Sequence, residues 1–319
     1  YNFPMTTVYD SKVKYSRIGN WNLIKKLGDG ATANVYLAYD PTCRKYSAIK
    51  VLKKLDSKYI RMFTNETQLQ SSVSHPNILA LKEFGQSVTL IDRKDNAKKV
   101  MALALEYAPG ADLINLIQTL GAFSDCLART YFHQLIDAIE YLHKNEIAHR
   151  DIKPDNIMLD KDYCLKLADF GCAIKFTNGE MLKSSAGTSA YFPPEILAGL
   201  EYDAKAMDLF AAAIILFCLV IGHRPFEKAT VEDSLYNCII RRNFDSFWKK
   251  HEEIMINNQE SKKIHPTFCE LINRMFDVDP QKRPSIKEIK KCFWYHGPVL
   301  EKSDIVRAID AVKNQKAAF

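Results

Sequence analysis

Four polar residues in the middle of the chain have types and spacing that could do chemistry on a hydroxyl group. Asp151 provides a carboxylate, Lys153 an ammonium group and Asn156 a carboxamide. Further along the chain, Asp169 provides a second carboxylate. A carboxylate can take a proton from a hydroxyl, and carboxylate and amide oxygens are hard ligands for magnesium. The set therefore contains the parts needed to deprotonate an acceptor and to hold magnesium on a triphosphate.

Single Asp and Asn residues in loops more often cap helices or make turns, so the neighbouring sequence decides between these readings. The chain reads HRDIKPDN at His149–Asn156 and DFG at Asp169–Gly171. These two motifs, in this order, resemble the catalytic and magnesium-binding loops of a eukaryotic protein kinase. The resemblance implies that Asp151 is the catalytic base and that Lys153 neutralises the transferring phosphoryl group. The amide and the second carboxylate would bind Mg2+.

The segment GDGATANV at Gly28–Val35 lies between two predicted strands and could approach a nucleotide. Glycine lets backbone amides come close to phosphate oxygens because no Cβ is in the way. A lone pair of glycines at this spacing is more often a plain hairpin turn. Together with the motifs above, the segment resembles the glycine-rich loop of a kinase, with Ala33 in place of the third glycine.

A lysine and a glutamate, Lys50 and Glu66, are predicted to form an ion pair near the nucleotide. Alternation along a strand puts Lys50 on the same face as Ala48, a small residue that leaves room for a purine. Without Glu66, Lys50 would be read as a surface lysine. Glu66 is expected to point inward because it shares a helix face with apolar residues. These are Met62, Leu69 and Val73. Since a buried carboxylate is costly unless it is paired, Lys50 is its natural partner, as the kinase resemblance also implies.

Gln70 departs from the family pattern. Kinases usually carry an apolar residue at this position, one helical turn after the glutamate. Either the helix is slightly rotated or its inward position is weakly stabilised.

The segment LALEYAPGAD resembles the hinge of a kinase, which binds adenine. The resemblance implies that Leu105 is the gatekeeper at the back of the purine pocket and that backbone groups of Glu106 and Ala108 bond the adenine. Asp112 would face the ribose, and Met158 would close the pocket from below. The nucleotide-binding residues implied in total are Leu27, Gly28, Gly30, Val35, Ala48, Lys50, Leu105, Glu106, Ala108, Asp112 and Met158.

The kind of acceptor is indicated by Lys153. This lysine, with Gly187 and Thr188 ahead of Tyr191, resembles serine/threonine kinases rather than tyrosine kinases. Thr188 would bridge Asp151 and Lys153 beneath a short hydroxyl side chain. The resemblance thus implies protein substrates with Ser or Thr acceptors, with ATP and Mg2+ as cofactors.

The residues between Gly171 and Pro193 resemble a kinase activation segment. Its end, PPE, resembles the closing APE motif, and Glu195 is expected to pair with Arg283. Asp208 resembles the aspartate that anchors the backbone of the catalytic loop.

Ser184 in this segment is a candidate for regulation, because its position before Gly187 matches the primary phosphosite of many kinases. Arg150, beside the base, could receive a phosphate through charge-assisted hydrogen bonds. One hypothesis is that an upstream activating kinase phosphorylates Ser184 and so orders the segment against Arg150. The alternative is a solvated loop serine. The sequences LKSSAGT and HPNIL resemble the calmodulin-dependent and AMP-activated branch of kinases.

The elements that must position these residues fall into two halves. Strand-like alternation at 21–27, 34–38 and 46–51 is followed by a helical pattern at about 57–72 and by two strands around a polar turn. Helical patterns dominate afterwards, at about 127–142, 204–221, 267–277 and 285–293.

The predicted fold is therefore α+β, a bilobal protein-kinase-like fold. The N-lobe, 21–107, would hold a five-stranded antiparallel sheet and one helix, and the C-lobe, 108–297, would be mainly helical. Residues 1–20 and 298–319 are expected to be extensions. The second has an amphipathic pattern at Ile305, Ile309 and Val312 and is expected to dock on the domain rather than begin a regulatory segment.

Bulk composition fits this reading and excludes other classes. The net charge of +6 is mild and spread along the chain, which favours a solvated surface over a nucleic-acid groove. Eight cysteines without a CxxC pair indicate a reducing compartment, cytoplasmic or nuclear. Residues 1–20 lack the apolar core of a signal peptide. The apolar run Leu209–Gly222 is shorter than the roughly 20 residues that span a bilayer, so a buried helix and no membrane span are expected.

Two other functions are compatible with such a fold. A pseudokinase that serves as a binding scaffold would be expected to lose the lysine, the base or a metal ligand, and all are present. A kinase of small molecules is disfavoured by Gly187, Thr188 and the PPE segment, which resemble the parts that shape a peptide groove.

Overall fold

The computed structural model describes residues 9–110, 112–257 and 263–317, apart from the side chains of 257 and 312–317. The described chain forms two compact units. The first unit runs to Pro109 and also includes Ala168–Gly171. The second contains Gly110–Leu167 and the chain from Cys172 onward.

The first unit is an antiparallel barrel with one helix. Its elements are β1 (Ser16–Ile18), β2 (Trp21–Asp29), β3 (Ala33–Asp40), β4 (Lys45–Leu52), α1 (Ser57–Ser71), β5 (Leu81–Ile91) and β6 (Ala97–Leu105). The order β1-β2-β3-β4-β6-β5 closes because β1 pairs with both β2 and β5. Alternate residues of these strands, such as Leu23, Ile49 and Ala102, fill the barrel core.

The barrel has one strand more than the five predicted. The extra strand, β1, comes from the segment that was expected to be an extension. Its three residues are too few to show a strand pattern by themselves, and only Ile18 is fully buried. Pairing with two longer strands supplies its hydrogen bonds, so the tertiary structure creates this strand.

Helix α1 carries Glu66 inward, although the buried face differs from the predicted one. Asp56 caps its first turn by accepting from the backbone N–H of Lys58. Met62 was expected to be buried, but it is 41% exposed. The buried residues are Phe63, Glu66, Thr67, Leu69 and Gln70. The helix is therefore rotated toward Gln70, which was one of the two alternatives.

The second unit is mainly helical, which confirms the predicted α+β fold class. Its helices are α2 (Leu113–Leu120), α3 (Asp125–Lys144), α4 (Pro194–Leu197), α5 (Ala204–Ile221), α6 (Ser234–Ile240), α7 (Phe244–Asn257), α8 (Pro266–Met275), α9 (Ile286–Ile289) and α10 (Lys302–Ala317). Two small antiparallel ribbons join β7 (Ile147–Ala148) to β10 (Ile174–Lys175) and β8 (Ile157–Leu159) to β9 (Leu165–Leu167).

Helix α5 is the centre of the second unit and is buried on all sides, as predicted. Asp203 caps its start, and Gly222 ends it in the left-handed conformation that glycine adopts without strain. Within the described part of the chain, α5 is the helix long and apolar enough to cross a membrane, with a mean hydropathy of 2.3. However, 83% of it is buried inside the protein, so its apolar surface is used for packing.

The helical unit differs from its sequence pattern in some elements and follows it in others. The helix predicted at 285–293 ends early, because α9 stops at Ile289 and turns follow. Helices α6 and α7 were not predicted. The C-terminal extension does dock, since α10 packs against α2 and buries Ile305 and Ile309. The side chain of Val312 lies outside the described residues.

Two histidines, the half-buried His223 after α5 and the buried His251 in α7, lie among aromatic rings. Their Nε2 and Nδ1 atoms are 2.9 Å apart. The rings of Phe217 and Phe247 lie edge-on to His251, with centroids at 4.7 and 4.5 Å. Burial lowers the pKa of His251 to about 3, and it also lowers the pKa of His223.

We expect this pair to make the folded protein acid-sensitive. An unfolded chain binds protons at these histidines near pH 6.5, whereas the folded chain keeps His251 neutral down to about 3. The contribution of His251 should therefore lower the free energy of unfolding by about 2 kcal/mol as the pH falls from 6.5 to about 5. Urea titrations of the protein and of His251→Phe would measure this loss, with His296→Asn, at an exposed position, as control. Equal pH slopes for the protein and His251→Phe would refute the expectation.

Candidate active site

The glycine-rich turn between β2 and β3 is closed by its own backbone and by an ion-pair cluster. Gly30 donates its N–H to the carbonyl of Ala33 at 3.0 Å. Asp29 lies between Lys26, at 2.6 Å, and Lys53 from the end of β4. Hydrogen bonds from these two lysines lower the pKa of Asp29 to about 2. The sequence pattern did not predict this attachment to Lys53, since the two residues are distant in the chain.

The predicted ion pair of the first unit is present and has a third member. The Nζ atom of Lys50 lies 2.5 Å from Glu66 Oε1 and 2.9 Å from Asp169 Oδ1. Burial lowers the pKa of Lys50, but the charges of Glu66 and Asp169 outweigh burial and raise it above its ordinary value. Lys50 is therefore a fixed cation. It is held next to Asp169, a predicted magnesium ligand whose carboxylate is half-exposed.

Neighbouring strands also bring predicted nucleotide residues together in the first unit. Ala48 pairs directly with Leu105, and Val35 pairs with both Lys50 and Gly28. Cross-strand partners have side chains on the same face of a sheet. The small residue and the predicted gatekeeper thus share one face.

Gln70 takes the place of an apolar residue on α1 and is almost fully buried. Its Nε2 donates to the carbonyl of Leu79 at 2.9 Å. This bond ties α1, and with it Glu66, to the chain that leads into β5. A hydrogen bond therefore fixes α1 where the family pattern uses apolar packing.

The predicted adenine- and ribose-binding residues divide between the units. In the first, Glu106 donates its N–H to the carbonyl of Ala80 at 2.8 Å, so its carbonyl is the backbone group that could serve adenine. Ala108 is buried. In the second, Asp112 and Met158 are neighbours in an isolated antiparallel bridge, and Asp112 caps α2.

The catalytic loop gathers the predicted base, lysine and threonine around one carboxylate. Lys153 Nζ is 2.9 Å from Asp151 Oδ2 and donates to Thr188 Oγ1 at 2.7 Å. Thr188 Oγ1 in turn donates to Asp151 Oδ1 at 2.8 Å. The bridge predicted for Thr188 is therefore present.

Asn156 is fixed by the same loop. Its Nδ2 donates to the backbone carbonyl of Asp151 at 2.8 Å and to Oδ2 of that residue at 2.9 Å. Because the amide nitrogen is used in this way, Oδ1 is the atom that can ligate a cation. A hard oxygen of this kind suits Mg2+.

Asp208 at the start of α5 anchors the backbone of this loop, as predicted. Its carboxylate accepts the N–H groups of His149 at 3.0 Å and Arg150 at 2.8 Å, and it contacts His143 Nε2 at 2.9 Å. Burial raises the pKa of Asp208, but the bonds from His143 and Arg150 outweigh burial and lower it. The role of His143 was not predicted, because a histidine on an amphipathic helix carries no local signal.

Gly187 lies close to the catalytic loop and has a φ of +117°. A Cβ at this position would collide with the carbonyl oxygen of Arg150. Glycine is therefore required for the turn that brings Thr188 to Asp151.

The activation segment is attached at two further places. Arg283 makes two hydrogen bonds of 2.7 Å to the carboxylate of Glu195, and both side chains are buried. This is the predicted pair. Arg150 donates from Nε to the carbonyl of Cys172 at 2.8 Å and from Nη1 to the carbonyl of Ser184 at 3.2 Å. The side chain of Ser184 is exposed.

Comparison with known proteins gives one family and several relatives. The protein kinase domain family matches residues 21–295. CBL-interacting protein kinase 11 of Oryza sativa subsp. japonica is 34% identical over 289 residues, which cover 88% of this chain and 52% of that protein. SNF-related serine/threonine-protein kinase of Homo sapiens is 34% identical over 296 residues, 91% of this chain and 34% of that protein. The carbon catabolite-derepressing protein kinase of Candida glabrata is 30% identical over 283 residues, 88% of this chain and 42% of that protein. The chain thus spans about half, or less, of these relatives.

Proposed function

This chain belongs to the protein kinase domain family, and from that premise we propose that it transfers the γ-phosphoryl group of ATP to serine or threonine hydroxyls of proteins. The predicted resemblance to serine/threonine kinases is confirmed by the relatives, two of which carry CBL-interacting and SNF-related kinase names. The observation that carries the proposal is the contact of Asp151 with Lys153 and Thr188. An acceptor hydroxyl that approached Asp151 would meet a carboxylate, a cation and a hydroxyl that already contact one another.

In this proposal each unit contributes its own residues. The first contributes Lys50, oriented by Glu66, to bind phosphate oxygens, and Asp169 to bind Mg2+. The second contributes Asp151 and Lys153, and the carboxamide oxygen of its Asn156 is a hard ligand for a cation. Bound Mg2+ would supply positive charge against the triphosphate.

The residues of the second unit would act directly on the acceptor. Asp151 would take the proton of the acceptor hydroxyl while the acceptor oxygen bonds to the γ-phosphorus. The bond from the γ-phosphorus to ADP would break, and ADP would leave. Lys153 would balance the charge that develops on the transferring group. Thr188 Oγ1 bonds both residues, as expected of the threonine through which the chain resembles kinases with Ser or Thr acceptors.

Incubation with labelled ATP, Mg2+ and a generic protein substrate tests the proposal, followed by identification of the labelled amino acid. Label on phosphoserine or phosphothreonine is expected. Label on phosphotyrosine would refute the assigned acceptor. Nucleotide binding without transfer to any protein would instead indicate a pseudokinase scaffold. Transfer only to small molecules would indicate a small-molecule kinase.

We further propose that phosphorylation of Ser184 by an upstream kinase regulates this activity. In support, Arg150 already reaches the backbone of Ser184, and the hydroxyl of Ser184 is exposed to an incoming enzyme. A phosphate there would add charge-assisted bonds to Arg150.

Ser184→Ala and phosphatase-treated protein should therefore transfer phosphate more slowly than protein phosphorylated at Ser184. The measurement is the initial rate at saturating ATP. Ser185→Ala, at the neighbouring exposed serine, is the matched control. If phosphorylation of Ser184 leaves the rate unchanged, the serine is only a solvated loop residue.

A further inference from the structure

The middle of the activation segment is bound to the residues that precede α5. Leu182 donates its N–H to the carbonyl of Tyr202 at 2.8 Å, and Tyr202 donates back to Leu182 at 2.9 Å. Both side chains are buried, in a cluster that also contains Phe176, Phe192 and Met207. The segment is therefore attached here by a backbone bridge and by apolar packing.

The hydroxyl group of Tyr202 extends this attachment to Arg150. Tyr202 donates its O–H to the carbonyl of Ser184 at 2.9 Å. Arg150 Nη1 donates to the Tyr202 oxygen at 3.3 Å and to the same Ser184 carbonyl at 3.2 Å. One arginine, one tyrosine and one carbonyl thus close a triangle of hydrogen bonds.

This triangle supplies hydrogen-bond acceptors to the guanidinium of Arg150. Its guanidinium is largely buried, and a buried charge is stable only when its donors are bonded. The acceptors available in the unphosphorylated chain are neutral: the carbonyls of Cys172 and Ser184 and the hydroxyl of Tyr202. Arg150 directly precedes Asp151, so the triangle joins the activation segment to the loop that carries the proposed base.

We propose that Tyr202 is a positioning residue that holds the activation segment against Arg150 in the unphosphorylated chain. It thereby sets how strongly phosphoryl transfer depends on the phosphate of Ser184. This inference rests on the proposed kinase activity and deepens its regulation. With Tyr202 present, the phosphate of Ser184 adds bonds to an activation segment that is already attached to Arg150. Without the hydroxyl, the phosphate becomes the main partner of Arg150.

The test compares the unchanged protein with Tyr202→Phe and with Tyr131→Phe as control. Tyr131 is also buried and donates its hydroxyl to a backbone carbonyl, that of Tyr163, at 3.0 Å. Each protein is prepared phosphatase-treated and with phosphoserine encoded at 184. The measurements are kcat, KM for ATP, and hydrogen exchange of residues 177–190.

Loss of a hydrogen bond to a charged group predicts a kcat about tenfold lower for unphosphorylated Tyr202→Phe, with KM for ATP unchanged. Phosphoserine at 184 should restore its kcat and slow its hydrogen exchange. The unchanged protein and Tyr131→Phe should gain only about threefold from the same phosphate.

The other outcomes overturn the inference. An equal loss of kcat in both forms of Tyr202→Phe would mean that the tyrosine only stabilises the fold. An unchanged kcat in both forms of Tyr202→Phe would mean that the Tyr202 hydroxyl does not affect phosphoryl transfer. If the unchanged protein labels no substrate in either form, the proposed function fails. Hydrogen exchange of residues 177–190 then still tests the attachment by Tyr202. Faster exchange confined to unphosphorylated Tyr202→Phe supports the attachment, and exchange equal to that of the unchanged protein rejects it.

Discussion

Replacement of Asp151 by asparagine is expected to slow phosphoryl transfer by roughly 10²- to 10⁴-fold, the usual contribution of a positioned base. Asparagine has the shape of aspartate but cannot take the proton of the acceptor hydroxyl. It also removes the negative charge that Lys153 contacts at 2.9 Å, and it leaves one accepting oxygen where Asp151 uses two, for Thr188 at 2.8 Å and Asn156 at 2.9 Å. Proton transfer from the acceptor and the orientation of Lys153 and Thr188 should therefore both be impaired.

The rate is best measured in single turnover with labelled ATP and Mg2+, alongside nucleotide binding and thermal unfolding. Binding of ATP should persist, because the phosphate-binding residues of the first unit are unchanged. Asp245→Asn, at an exposed position in α7, controls for the loss of one negative charge. A rate for Asp151→Asn within tenfold of the unchanged protein would show that another group accepts the proton.

The second large effect is expected for Lys50→Met, which should lower the rate of transfer by at least about 10²-fold. Methionine keeps much of the length of the side chain but removes the charge shared by Glu66 and Asp169. Glu66 would then be buried without its partner. Breaking a buried pair from one side costs about 3–5 kcal/mol, so the protein should also be less stable.

A double variant separates these two consequences. Lys50→Met with Glu66→Leu removes both charges, so stability should largely return while transfer stays lost. The measurements are urea unfolding and labelled-ATP transfer, with Lys98→Met, at an exposed position of β6, as control. Recovery of transfer in the double variant would mean that Lys50 serves only the fold.

The reach of sequence reasoning differs between the parts of this protein. The residues of the catalytic loop are close together in the chain, so one short motif contains them, and its resemblance to kinases implied their roles. Lys50 and Glu66 are farther apart, yet an inward-facing carboxylate needs a cation, and this requirement predicted the pair. The face of α1 was predicted less well, because Met62 and Phe63 have similar apolar character and the buried one is decided by packing.

The sequence by itself determined which groups could react: the carboxylates of Asp151 and Asp169, the ammonium group of Lys153 and the carboxamide of Asn156. Their chemistry belongs to residue types and to short spacings, which the chain carries before it folds. Only the tertiary structure decided what holds these groups in place. His143 contacts Asp208, β1 closes the barrel, and Tyr202 bonds Arg150. Such contacts join residues that are distant in sequence, and a buried hydroxyl or carboxylate gains its partner only when packing brings one within reach.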